Sequence, residues 1–234
     1  VVPVFFAVAG YAGAVSWSRL PVDGSTSRQE WIRRRVARTI GPAAVYAVFV
    51  LAVMAVLMVA GIDGSVLELG GWAIAMHLWF LAVYLMVVAL TPIAVAAHRR
   101  WGLAVPAVLG SCVVVVDVVG ISTGHPETRM VNYFFCWAAI YQRGIAWHGG
   151  LLRRRALLAM AAAAAVALPL LVTWGPYPVA MIGVPGDRVE NSAPPSVALL
   201  ALALVEIGVL FAAVPLMNRA LARGVWPKVI GIAN

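Results

Sequence analysis

Arginine is concentrated in this sequence where chemistry could begin. Residues 31–42 read WIRRRVARTIGP, and Arg35 and Arg38 stand three residues apart. On a helix that spacing brings two guanidinium groups together on one face. Planar, permanently charged forks of this kind suit the phosphates of an anionic ligand. The alternative is an ordinary basic anchor beside a membrane. Arg143, next to Gln142 near the end of a later apolar run, is the third candidate for contact with a phosphorylated donor.

A second set comprises polar residues in apolar surroundings. Glu206 lies mid-run in ALALVEIGVLF, Asp117 follows four consecutive valines, His77 sits in MHLWFLAVYL, and Asn132 opens NYFFCW. A charge at the centre of a bilayer costs about 2.5–3.5 kcal/mol on insertion scales. Glu206 should therefore face a helix bundle, as a functional acid or as a neutral carboxyl bonding a neighbour. Asp117 either pairs with Arg129 or serves a site. His77 is a packing residue or lines an acceptor site. With Asn191, these residues are the candidates for an acceptor path.

Other chemistries lack their motifs. There is no G-x-x-x-x-G-K-[ST], H-E-x-x-H or G-x-S-x-G. Cys112 and Cys136 both fall in apolar runs, and His98, His125 and His148 have no partner at ligand spacing. No metal site and no resident cofactor are expected.

The elements that must position these residues are membrane helices. The chain is 63% hydrophobic and 11% charged, with mean hydropathy +0.95. Soluble domains hold about a quarter charged residues, so lipid is the natural solvent for this all-α chain. Seven runs are long enough to span: 1–17, 41–61, 73–97, 103–121, 129–147, 155–174 and 196–217, with an eighth beginning near Trp226. The whole chain, 1–234, reads as one integral membrane domain, a polytopic helical bundle.

Charge sets the orientation. Fifteen of the 17 basic residues fall in loops on one side, and only Arg129 and Arg188 fall on the other. The first side is then cytoplasmic, in a cell membrane, and Val1 begins at the outer face. The net charge of +8 reflects topology and anionic lipid rather than nucleic acid. Residues 18–40 form a basic cytoplasmic loop. Ser27-x-x-Glu30 within it predicts a capping box, followed by an amphipathic helix with Ile32, Val36 and Ile40 on one face. Residues 175–195 form an outer Pro-rich loop, either a lid or binding loop or a stiffened connector. Residues 161–165 are five alanines, suited to close helix packing.

Several segments together resemble acyltransferase family three, in a bacterial branch. VPVFFAVAGY at 2–11 is similar to that family's second membrane helix, with Ala9 where the family usually has Ser. WIRRRVARTIGP resembles its Arg-rich cytoplasmic loop. His77-Leu78-Trp79-Phe80-Leu81, with Tyr84 and Pro92, resembles its LWFL helix. Residues 132–147 and 175–195 are similar as well.

The resemblance implies an integral membrane enzyme of about ten helices. It would move an acyl group from a cytoplasmic donor such as acyl-CoA to a hydroxyl of a glycan, lipid or metabolite, a reaction that includes O-acetylation. It places the family's signature His on a helix before Val1 and further helices after Asn234. The catalytic base is then unknown here, and the piece alone is expected to be inactive. Membrane lipid, the acyl-CoA donor and the hydroxyl acceptor are the expected partners. The competing expectations are a transporter or flippase-like protein, with Glu206 as a coupling site, and a non-catalytic fragment.

Overall fold

The computed structural model describes residues 2–20, 25–61, 63–182 and 189–223. Every regular element among them is helical: α1 (Val2–Ser18), α2 (Ser25–Val59), α3 (Gly64–Ala89), α4 (Thr91–Trp101), α5 (Ala104–Ser122), a 3-10 turn (Pro126–Val131), α6 (Asn132–His148), α7 (Arg154–Thr173) and α8 (Val197–Arg223). They form two compact units, one of Val1–Tyr11 with Trp101–Asn234 and one of Ala12–Arg100.

A helix lies under each of the seven apolar runs, but length and composition do not confirm all seven as spans. Among the described residues four helices are long and apolar enough to cross a membrane, or five if one bent pair counts as a single span. The bent pair is the run at 73–97. It breaks at Leu90, and the segments Trp79–Ala89 and Thr91–Trp101 meet at 55°. Pro92 explains the break. It has no N–H to give to Val88, and its ring crowds the preceding turn. The Thr91 hydroxyl takes the Val88 carbonyl instead, at 2.7 Å. The run at 129–147 starts late because residues 126–131 wind as a 3-10 turn, which leaves α6 only 17 residues. The run near Trp226 lies outside the described residues.

The capping box also fails. Helix α2 begins at Ser25, which puts Ser27 inside it. Glu30 turns away from the helix start to Arg33 and Arg34, at 2.7 and 2.6 Å. Two guanidiniums one turn ahead outcompete a single backbone N–H for that carboxylate. From there α2 runs unbroken for 35 residues, joining the basic segment to the apolar one.

The core of the larger unit is built where helices touch through missing side chains. A Cβ on Gly144 would collide with the Ala7 carbonyl oxygen, and one on Gly10 with the Tyr141 carbonyl oxygen. Close backbone approach through small residues is how helices gain packing in lipid, where water expulsion offers little. Phe6 stacks on Trp137 beside this crossing, with ring centroids 4.4 Å apart. Helices α7 and α8 use the same device at Gly208 and Ala161.

Gly144→Ala should therefore destabilise the protein by about 1–3 kcal/mol, the usual cost of overpacking, whereas Gly64→Ala meets nothing within 4 Å and should leave stability unmoved. Thermal unfolding of both variants in detergent checks this; equal melting temperatures would remove the crossing from the core.

Candidate functional site

Each compact unit carries its own polar group. In the smaller one, Ser16 near the end of α1 organises the start of α2. Its hydroxyl accepts from Trp31 Nε1 at 3.2 Å and from Arg35 Nη1 at 3.0 Å, and donates back to the Ala12 carbonyl at 2.8 Å. The Arg35 guanidinium also lies 5.3 Å from the centre of the Trp31 ring, close enough for cation–π attraction. Trp17 meets Trp31 edge to face at 5.3 Å. Arg35 is thus half-buried and fixed in direction, while Arg38, one turn on, is exposed.

Glu30 sorts the arginines. It holds Arg33 through two bonds and Arg34 through one. Among the described residues no carboxylate pairs with Arg35 or Arg38. Both line an open cavity of about 590 Å³ with Arg34, Trp31, Thr39 and Tyr84. Cationic forks beside aromatic rings can hold phosphates and stack a planar ring.

In the larger unit, Asp117 is fully buried in α5. Its Oδ1 accepts from Arg129 Nε at 2.5 Å. Its Oδ2 accepts from the Tyr177 hydroxyl at 2.9 Å and from the Val197 backbone N–H at 2.8 Å. Arg129, also buried, reaches on to the Glu190 carbonyl at 3.1 Å. Burial first, and then the Asp117 charge, push the Tyr177 phenol above its ordinary pKa. Asn191 donates to the Pro178 and Ala180 carbonyls at 2.8 and 2.9 Å, and its Oδ1 accepts from Ser196 Oγ at 2.7 Å. Ser196 in turn accepts the Leu199 N–H at 3.2 Å, closing the first turn of α8.

The five acceptor-path candidates therefore separate. Asp117 and Asn191 join one network through the start of α8, and their polar atoms are engaged in it. Asn132 is buried at the start of α6 and donates to the Val113 carbonyl at 3.3 Å, while its Oδ1 has no hydrogen-bond partner among the described residues. Glu206 is half-buried in the middle of α8. His77 falls within α3, but its side chain lies outside the described residues. Arg143 does not line the cavity of Arg35 and Arg38; it faces a groove in the larger unit.

Sequence reasoning missed Ser16, Tyr177 and Ser196. Only Ser196 carried a signal, a Ser directly ahead of an apolar helical run. No group of metal-binding side chains occurs among the described residues.

The family model of acyltransferase family 3, described as an acyltransferase domain, matches residues 1–231. No curated protein and no solved structure matches the chain.

Asp117→Ala should cost about 3–5 kcal/mol, because it leaves the Arg129 guanidinium buried and unpaired. Adding Arg129→Ala should recover part of that loss. Equilibrium unfolding in mixed micelles of both single variants and the double variant measures the coupling; additive effects would mean that the pair does not act as a unit. Stability should also fall with alkali. A phenol whose folded pKa is raised favours the folded state up to about pH 10 and loses that contribution as pH climbs through the folded value. Melting temperatures from pH 9 upward should drop less in Tyr177→Phe than in the parent.

Proposed function

We propose a specific reaction for this chain, which belongs to acyltransferase family 3 and is a membrane acyltransferase. It takes an acyl group from a cytoplasmic acyl-CoA and passes it to a hydroxyl of a glycan, lipid or metabolite. The observation that carries this reading is the cavity of Arg35 and Arg38. A CoA donor has phosphates and a planar adenine. The cavity offers the guanidiniums of Arg35 and Arg38, neither paired with a carboxylate among the described residues, and the rings of Trp31 and Tyr84, with Glu30 and its partner Arg34 also on its wall. Glu30 supports it by engaging Arg33 and Arg34, whereas Arg35 and Arg38 have no carboxylate partner among the described residues.

In the transfer, the acceptor oxygen attacks the thioester carbonyl and its proton passes to a general base. The tetrahedral oxyanion then collapses, and the CoA thiolate leaves and is protonated. Asn132, His77 and Glu206 are the residues proposed for the acceptor path. Asn132 keeps a buried oxygen for an incoming hydroxyl to donate to. The positive-inside bias of the loops supports placing the arginine cavity on the cytoplasmic side of the cell membrane, where acyl-CoA is made.

In the full-length protein, Arg35→Ala with Arg38→Ala should weaken acyl-CoA binding at least tenfold, since each charge-assisted hydrogen bond contributes about 1.5–3 kcal/mol. Membrane insertion should be unchanged. Equilibrium binding of radiolabelled acyl-CoA to the purified protein checks this, and an unaltered affinity would dismiss the cavity as the donor site.

A further inference from the structure

Arg143 is a buried charge of the larger unit with no carboxylate paired to it among the described residues. Its side chain leaves α6 and is nine-tenths buried. It donates Nη1 to the Ala139 carbonyl of its own helix at 2.8 Å, and no carboxylate among the described residues pairs with it. A guanidinium has five N–H donors, and burying it without an anion costs several kcal/mol. The remaining donors face a groove of about 430 Å³ between α5, α6, α7 and α8. Apart from Ser111 the rest of the lining is apolar, with Ala107 and Gly110 on α5, Met160 and Ala164 on α7, and Leu200 and Leu204 on α8. The guanidinium lies against Gly110, where a Cβ would sit in ordinary van der Waals contact with Nη2 at 3.7 Å.

A nucleotide does not fit this chemistry. Its ribose and phosphates would lose their hydration to alanines and leucines for one cation in return. An amphiphile with a single oxygen-bearing end and a hydrocarbon tail matches both halves of the site. We propose that the groove holds the chain of an acyl group longer than acetyl, with Arg143 binding the oxygen of its carboxyl or thioester. This rests on the acyltransferase reading and adds a substrate class to it: a medium or long fatty acyl group.

The test uses the full-length protein in phosphatidylcholine nanodiscs with a photoreactive diazirine palmitate. Labelling should map to α7 and α8, and palmitate or octanoate should compete while acetate does not. Filling the groove by Ala164→Phe, or from the opposite wall by Ala201→Phe, should cut labelling about tenfold. Arg143→Gln should weaken competition by palmitate about tenfold, and Arg143→Lys should restore most of it. Labelling that ignores both phenylalanines and is not competed would show bilayer lipid contact only and overturn the proposal. Acyl transfer from palmitoyl-CoA is followed in parallel. Transfer that persists while labelling ignores the variants defeats the groove alone. Specific labelling in a protein that transfers nothing supports the groove and defeats the acyltransferase reading.

Discussion

One buried carboxylate ties the larger unit together. Asp117 receives donors from three places: the 3-10 turn before α6, the segment after α7, and the first N–H of α8. A lone carboxylate in such surroundings would be prohibitively costly, so each of these groups has to stay in place once one of them is there. The cost of burying the charge is thereby turned into positional certainty. The start of α8, the two described ends of the 175–195 segment and the entry to α6 are registered against a single side chain. The groove of Arg143 depends on that registration, because α5, α6 and α8 supply three of its walls.

Charges in this protein fall into two kinds. Asp117 with Arg129, and Glu30 with Arg33 and Arg34, are closed pairs that hold structure. Arg35 and Arg143 are positioned by a hydroxyl, a ring and a carbonyl instead. A cation fixed by neutral groups keeps its field available to a ligand, whereas one fixed by a carboxylate has already used it. That distinction separates scaffold from candidate site better than exposure does, since Arg143 and Arg129 are both buried.

Much of the helical content was legible in hydropathy alone, because a run of apolar residues in lipid has few options besides a helix. The failures have local causes. The run at 73–97 is apolar throughout, so nothing in its composition marks the bend; the missing N–H of Pro92 does, and prolines are common enough in membrane helices to make that signal ambiguous. Ser27-x-x-Glu30 matches a cap motif, yet the arginines that follow Glu30 decide where its carboxylate goes. The family was legible from segments such as residues 31–42 and 77–92. The site was legible only in part. Tyr177 and Val197 lie 60 and 80 residues from Asp117, and no local pattern reveals such partners. Arg35 and Arg38 could be picked out by spacing, but the Ser16 hydroxyl that aims Arg35 could not.

The crossing of α1 and α6 has a consequence beyond packing. Both helices are 17 residues long, about 25 Å at 1.5 Å per residue. Phe6 against Trp137 and Tyr11 against Trp147 set them running in the same direction, and the glycine contacts leave no room for lipid between them. A helix of that length falls short of a hydrocarbon layer of about 30 Å, and tilt would shorten its reach further. Where such a pair crosses a bilayer, local thinning of the layer beside it is one way the shortfall is met. A locally thin membrane would shorten the distance between its two faces at this point of the fold.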